Sequence, residues 1–177
     1  PVLYGVHTSH DLWVDNGHFV SETVFKGEPM DEFPGAFAYW EMLAYKRQPE
    51  RTAVVAKLED RLSDYTGRVN VECIGGRIIE VHLRIGDEFI ADEFHEVGEP
   101  LFLVPVWHDT LDGEAPPVDT DALKQQDGVL AVLADGGDVS SPGCDLQRCA
   151  LVVTRRLPDD MPTPAVARSD VCQPCRF

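Results

Sequence analysis

The stretch Arg68-Val69-Asn70-Val71-Glu72-Cys73-Ile74-Gly75-Gly76-Arg77-Ile78-Ile79-Glu80-Val81-His82-Leu83-Arg84 alternates apolar and polar residues on both sides of two glycines. A period of two belongs to a strand, whose successive side chains point to opposite faces. The segment is therefore predicted to be an antiparallel hairpin, and burial selects its register. A three-residue loop, Gly75-Gly76-Arg77, places Ile74 opposite Ile78, Glu72 opposite Glu80, Asn70 opposite His82 and Arg68 opposite Arg84. Val69, Val71, Cys73, Ile79, Val81 and Leu83 then share one face, whereas a two-residue loop mixes charges into that apolar set.

The other face of this hairpin is where chemistry is expected. Two carboxylates stand directly opposite each other, about 5 Å apart at Cβ, flanked by an imidazole, an amide and arginines. Like charges so placed repel unless something cationic lies between them. A hard divalent cation prefers carboxylate oxygens and commonly joins one or two of them to substrate phosphates, so Glu72 and Glu80 are candidate ligands. The competing reading is a solvated sheet face, with Glu and Arg paired across strands for a few tenths of a kcal/mol each, on the order of other exposed pairs.

Around the hairpin the chain reads as an α+β domain, mostly antiparallel sheet built from hairpins with two or three packing helices. Residues 11–26 alternate about Asp15-Asn16-Gly17, a turn signal between two short apolar runs, and predict a first hairpin. Residues 36–45 carry helix formers and a broad apolar stripe and predict a helix. A second helix is expected over 49–65, because Val54, Val55, Leu58 and Leu62 recur at helical spacing and Gly67 ends it. Residues 87–94 suit a short acidic helix, 100–107 a strand, and 109–121 a loop. Two further apolar strands are expected at 128–133 and 149–153, followed by a proline-rich tail from Pro158. This divides the chain into a sheet-and-helix domain, 1–108, and a C-terminal β extension, 109–177, that carries a cysteine-containing tail.

Charge narrows the function. Thirty-one acidic residues against fifteen basic ones give a formal net charge of −16, which repels polyanions and sets nucleic acid aside as a partner. No apolar run reaches the roughly 18–20 residues of a membrane-spanning helix, so no membrane role is expected.

The run from Glu72 through Glu80-Val81-His82-Leu83-Arg84 resembles the metal-binding hairpin of the ATP-grasp superfamily, in which an acidic strand residue precedes a Glu-x-Asn-x-Arg strand. The hairpin at 11–26 and the helix running into Thr66-Gly67 occupy the places that superfamily gives them, and the resemblance covers about residues 5–90. It implies an ATP-grasp C-terminal-domain-like fold, ATP as nucleotide, and Mg²⁺ or Mn²⁺ held by Glu72, Glu80 and His82. It also implies that Arg84 steadies an acyl phosphate, with Lys26 and Asn70 as the nucleotide-side contacts. The product is then an amide or peptide-like bond between a small carboxylate and an amine. Position 82 is His where the family shows Asn, and imidazole suits Mn²⁺ or Zn²⁺ better than Mg²⁺. The family's N-terminal domain and flap have no counterpart in the chain, so a missing N-terminal half or a partner chain is expected, in a cytoplasmic setting. The alternative is a non-catalytic structural or assembly module, such as a virion component, that keeps a degenerate ATP-grasp sheet.

Cys144, Cys149, Cys172 and Cys175 offer four thiolates for a zinc ion; disulfides and unpaired thiols are the competing states. Cys73 falls on the apolar face of the hairpin, away from His82, which removes a Cys–His nucleophile pair. His7, His10, His95 and His108 are assigned no role.

Overall fold

The computed structural model describes residues 3–31, 33, 35–47, 53–84, 94, 100–109, 118–134 and 146–157. The described chain forms two compact units, one of residues 1–28 and 40–101, the other of residues 29–39 and 102–177. These units interleave along the chain.

The first unit is built on two hairpins. Strand β1 (His7–Asp15) turns through Asn16-Gly17 into β2 (His18–Pro29), with Asp15 opposite His18. Asn16 and Gly17 have φ of 47° and 77°, the double positive φ that a two-residue type I′ turn requires. The turn is tied down from below, since Gly17 N donates to Tyr65 O at 3.0 Å and Asn16 N to Thr66 Oγ1 at 2.7 Å.

The second hairpin pairs β4 (Gly67–Ile74) with β5 (Arg77–His82). Asn70 faces His82, Val71 faces Val81 and Glu72 faces Glu80, as the alternation predicts. The turn itself differs. It has two residues, Gly75 and Gly76 at φ 56° and 74°, and Ile74 faces Arg77. A bulge between Glu72 and Cys73 absorbs the odd residue, leaving Ile79 unopposed and Cys73 facing Ile78. A bulge reconciles a tight turn with a buried apolar set, a solution that a choice between loop lengths does not contain. Gly75 is required there, because an added Cβ would lie 2.5 Å from the carbonyl oxygen of Tyr4.

The strand order here is β5-β4-β1-β2-β3; β3 spans Phe37–Arg47, and its part from Trp40 onward belongs to this unit. The helix predicted at 36–45 is therefore a strand. Its apolar run lacks alternation and so carries no local strand signal, and its Phe, Tyr and Trp residues pack well on a pleated surface.

Helix α1 (Ala53–Leu58), continued by a 3-10 turn at Glu59–Arg61, is shorter than the 49–65 predicted, whose first four residues lie outside the described ones. Its apolar side is placed as expected. Val54, Leu58 and Leu62 pack on Leu12, Val14, Val69, Val71 and Cys73, with Phe19, Tyr65 and Ile78 at the margin. Gly67 opens β4 instead of closing the helix. On β5, the outermost described strand of this unit, Ile79 and Val81 stay exposed, as does Leu83 just beyond it. The predicted apolar face is thus buried only on its β4 half.

The second unit contains β6 (Phe102–Asp109), α2 (Thr120–Lys124), β7 (Val129–Ala134) and β8 (Leu146–Thr154), with β8 between β6 and β7, antiparallel to both. The three strands were predicted; α2, whose first turn is capped by Asp119 accepting from Ala122 N at 2.9 Å, falls at the end of the expected loop. The predicted acidic helix at 87–94 lies outside the described residues apart from Phe94.

Candidate metal and phosphate site

The β4–β5 register puts Glu72, Glu80 and His82 on one face, the face opposite the α1-packed core. One ligand atom from each lies within 4.8 Å of the others. Glu72 and His82 are half-buried and Glu80 is exposed, so the donors are held by sheet yet reachable from solvent.

Each carboxylate has an imidazole neighbour. His82 Nε2 lies 3.0 Å from Glu80 Oε1, two residues along the same strand. His7 Nε2 lies 3.1 Å from Glu72 Oε2, reaching across from β1. The bond from His7 is the largest influence holding the Glu72 carboxyl below the usual carboxylate range; burial opposes it, and the charges of His7, His82 and Arg84 reinforce it. Glu72 is thus an ionised carboxylate at neutral pH, as a cation ligand must be.

Other residues fall into place around this core or away from it. Arg84 is exposed just beyond β5, near enough for its charge to act on Glu72. Asn70 is buried, and its amide nitrogen donates to Ser9 Oγ at 2.8 Å and Asp11 Oδ1 at 3.0 Å. Both of its amide hydrogens are committed to β1, so its role in the structure is to bind β4 to β1 on the site face. Arg68 stacks on the Trp13 ring, 4.1 Å from its centroid. Lys26 is not brought to the carboxylates. It pairs with Thr8, which pairs with Cys73, whereas Glu72 pairs with Ser9, so Lys26 stands on the opposite face. There it lies 3.4 Å from Glu28.

Of the four tail cysteines only Cys149 is described, half-buried in β8 with its Sγ 3.7 Å from Gln147 O; Cys144, Cys172 and Cys175 lie outside the described residues. Cys73 is fully buried among the α1-facing residues, and burial pushes its thiol up.

His7 was not anticipated. Alternation on β1 puts His7, Ser9 and Asp11 on one side, but only the β1–β4 pairing, Ser9 opposite Glu72, makes that side part of the site. That pairing joins segments more than sixty residues apart and has no local signature.

The donor set fits a divalent cation: two carboxylates and one imidazole converge on paired strands, partly open to water. Oxygen ligands suit Mg²⁺, and the imidazole shifts the set toward Mn²⁺.

The chain has an ATP-grasp-like fold. Among solved structures, the chain is similar to L-amino acid ligase from Bacillus licheniformis, with a TM-score of 0.53 and 11% identity over 86% of this chain and 49% of that one. It also aligns with N5-carboxyaminoimidazole synthetase from Staphylococcus aureus complexed with ADP, at TM-score 0.49 and 11% identity over 88% of this chain and 47% of that one. The chain spans about half the length of both. No protein-family model and no curated protein matches its sequence. Among the described residues no helix is long and apolar enough to cross a membrane.

Proposed function

We propose that this chain is the C-terminal, metal-binding part of an ATP-dependent carboxylate–amine ligase that works through an acyl phosphate. The observation that carries the reading is the convergence of Glu72, Glu80 and His82 within 4.8 Å on paired strands of an ATP-grasp-like fold. Transfer of phosphate to a carboxylate gathers several anions in one place, and a bound Mg²⁺ or Mn²⁺ would offset that charge. Glu72 and Glu80 bind the cation as carboxylates, and His82 adds a ring nitrogen. Arg84, exposed at the end of β5, meets the acyl phosphate with a forked donor set suited to phosphate oxygens. The amine then displaces phosphate, forming the amide bond. A further N-terminal segment or a partner chain completes the nucleotide site, and cytoplasmic ATP supplies the reaction.

A second reading has one specific observation behind it. Each carboxylate already has an imidazole within hydrogen-bonding distance, Glu72 with His7 and Glu80 with His82. Two such pairs relieve the cross-strand repulsion without a cation, as a structural or assembly module that no longer binds nucleotide would require.

Calorimetric titration of the chain with ATP plus Mg²⁺, and separately Mn²⁺, beside Glu80→Ala decides between them. Saturable binding that the substitution abolishes is expected. Binding that survives Glu80→Ala, or the absence of any Mg²⁺ or Mn²⁺ binding by the unsubstituted chain, overturns the assignment of the metal to this hairpin.

A further inference from the structure

His7 pairs with Ile74 across β1 and β4, which makes it the diagonal neighbour of Glu72 on the site face. Its Nε2 lies 3.1 Å from Glu72 Oε2. An ionised carboxylate has acceptors only, so the imidazole nitrogen in this bond carries the hydrogen and donates it. The ring is braced on its other side by Trp40, whose ring stands edge to face with it at 5.5 Å between centroids and 88° between planes. His7 is thus fixed by its strand register, by an aromatic neighbour and by the carboxylate it holds.

The three atoms within 4.8 Å of one another come from Glu72, Glu80 and His82; His7 acts on Glu72 from outside this set. Ligating carboxylates are oriented by hydrogen bonds from partners that do not touch the metal, and loss of such a partner typically weakens metal binding about 10–100-fold. A glutamate with one oxygen already held has less rotamer freedom to lose when a cation binds its other oxygen.

We infer that His7 is the positioning residue of the metal site: by donating Nε2–H to Glu72 Oε2, while its ring rests against Trp40, it presents the other oxygen of Glu72 to the cation that Glu80 and His82 share. The inference rests on the metal reading above, and its test separates the two.

Mn²⁺ binding to the full chain, followed by the electron paramagnetic resonance of the free ion, is compared among four proteins: unsubstituted, Glu80→Ala, His7→Phe and His7→Gln. His7→Phe keeps a ring against Trp40 and removes the donor; His7→Gln keeps a donor. Expected are loss of binding in Glu80→Ala, a Kd raised about 10–100-fold in His7→Phe, and a Kd within about threefold of the unsubstituted chain in His7→Gln, a rescue that a merely structural role would not give. Unchanged affinity in His7→Phe, with binding lost in Glu80→Ala, overturns the role of His7 and leaves the metal site standing. Absence of Mn²⁺ binding in the unsubstituted chain, or equal binding in Glu80→Ala, overturns both. Should His7→Phe not fold, long-range ¹H–¹⁵N correlation of the imidazole in the unsubstituted protein still decides: the Nε2–H form is expected at neutral pH, and the Nδ1–H neutral tautomer overturns the inference.

Discussion

Strand β1 carries two imidazole–carboxylate pairs of the same chemistry on opposite faces, three residues apart. His7 reaches Glu72 on the open face, and the two side chains keep 18% and 29% of their surface exposed. His10 reaches Glu22 on the face that α1 covers, Nδ1 to Oε1 at 2.9 Å, and Glu22 has no exposed surface at all. Glu22 lies beside Leu12 because the two pair across β1 and β2. His10 continues the chain of contacts through its Nε2 to Thr8 Oγ1 at 3.2 Å. A histidine beside a glutamate is therefore not by itself a site. What separates the two pairs is the presence of further donors and of water: Glu80, His82 and Arg84 gather near Glu72, while Glu22 is wholly buried against His10 and beside Leu12. The first pair has ligands to recruit, and the second only a fold to hold.

The largest effect expected from this contrast is on stability. Removing His10 takes away the hydrogen-bond partner of Glu22 Oε1, and Glu22 Oε2 is already buried without one among the described residues. Stranding a buried carboxyl in this way costs about 3–5 kcal/mol. His10→Ala should therefore lower the denaturant midpoint strongly, whereas His7→Ala, at a partly solvated pair, costs about 1 kcal/mol. Replacing both partners removes the stranded group, so a His10→Phe/Glu22→Leu double variant should recover most of the loss. Equal midpoints for His10→Ala and His7→Ala would break the comparison.

Metal response sharpens it from the other side. Mg²⁺ or Mn²⁺ in excess should raise the melting temperature of the unsubstituted chain, since a ligand bound only by the folded state stabilises by mass action, about 2.7 kcal/mol at one hundred times Kd. Glu72→Gln should abolish the shift, and Glu22→Gln should leave it intact in whatever fraction folds. A shift abolished by both would mean that the faces are coupled and that the division by solvent access is wrong.

The open face was partly legible in the sequence. Strict alternation over 68–84 identified Glu72 opposite Glu80 and Asn70 opposite His82 because period-two burial is a local property, and the Asn16-Gly17 turn was legible for the same reason. Strand β3 was not, since its apolar run has no period and its strand state comes from pairing. The turn at Gly75-Gly76 was misjudged because a bulge at Ile79 compensates for it. Lys26 follows the first hairpin in the sequence, and register places its side chain on the face opposite Glu72. His7 was missed because its partner is sixty-five residues away. Local periodicity revealed the strand pair that bears the donors; the pairing of strands distant in sequence decided what else stands beside them.

The smallest effect concerns pH, and its sign follows from Glu72. The carboxyl is held below its ordinary value of 4.5 in the folded chain, first by the bond from His7, so the folded state binds its proton less readily than the unfolded state does. The stability this contributes is fully present above the unfolded pKa and disappears as pH falls below 4.5 and through the lower folded value. Glu72→Gln should thus cost about 1 kcal/mol at pH 7, and the difference from the unsubstituted chain should shrink as acid is added below pH 4.5, read as converging urea midpoints. His7→Phe removes the main cause of the shift and should flatten the same pH dependence without abolishing it, because the charges of His82 and Arg84 still act on Glu72. If Glu72→Gln stayed equally destabilised at all acid pH values at which the protein folds, the carboxylate's role would be one of shape, and the open face would lose the electrostatic feature that distinguishes it.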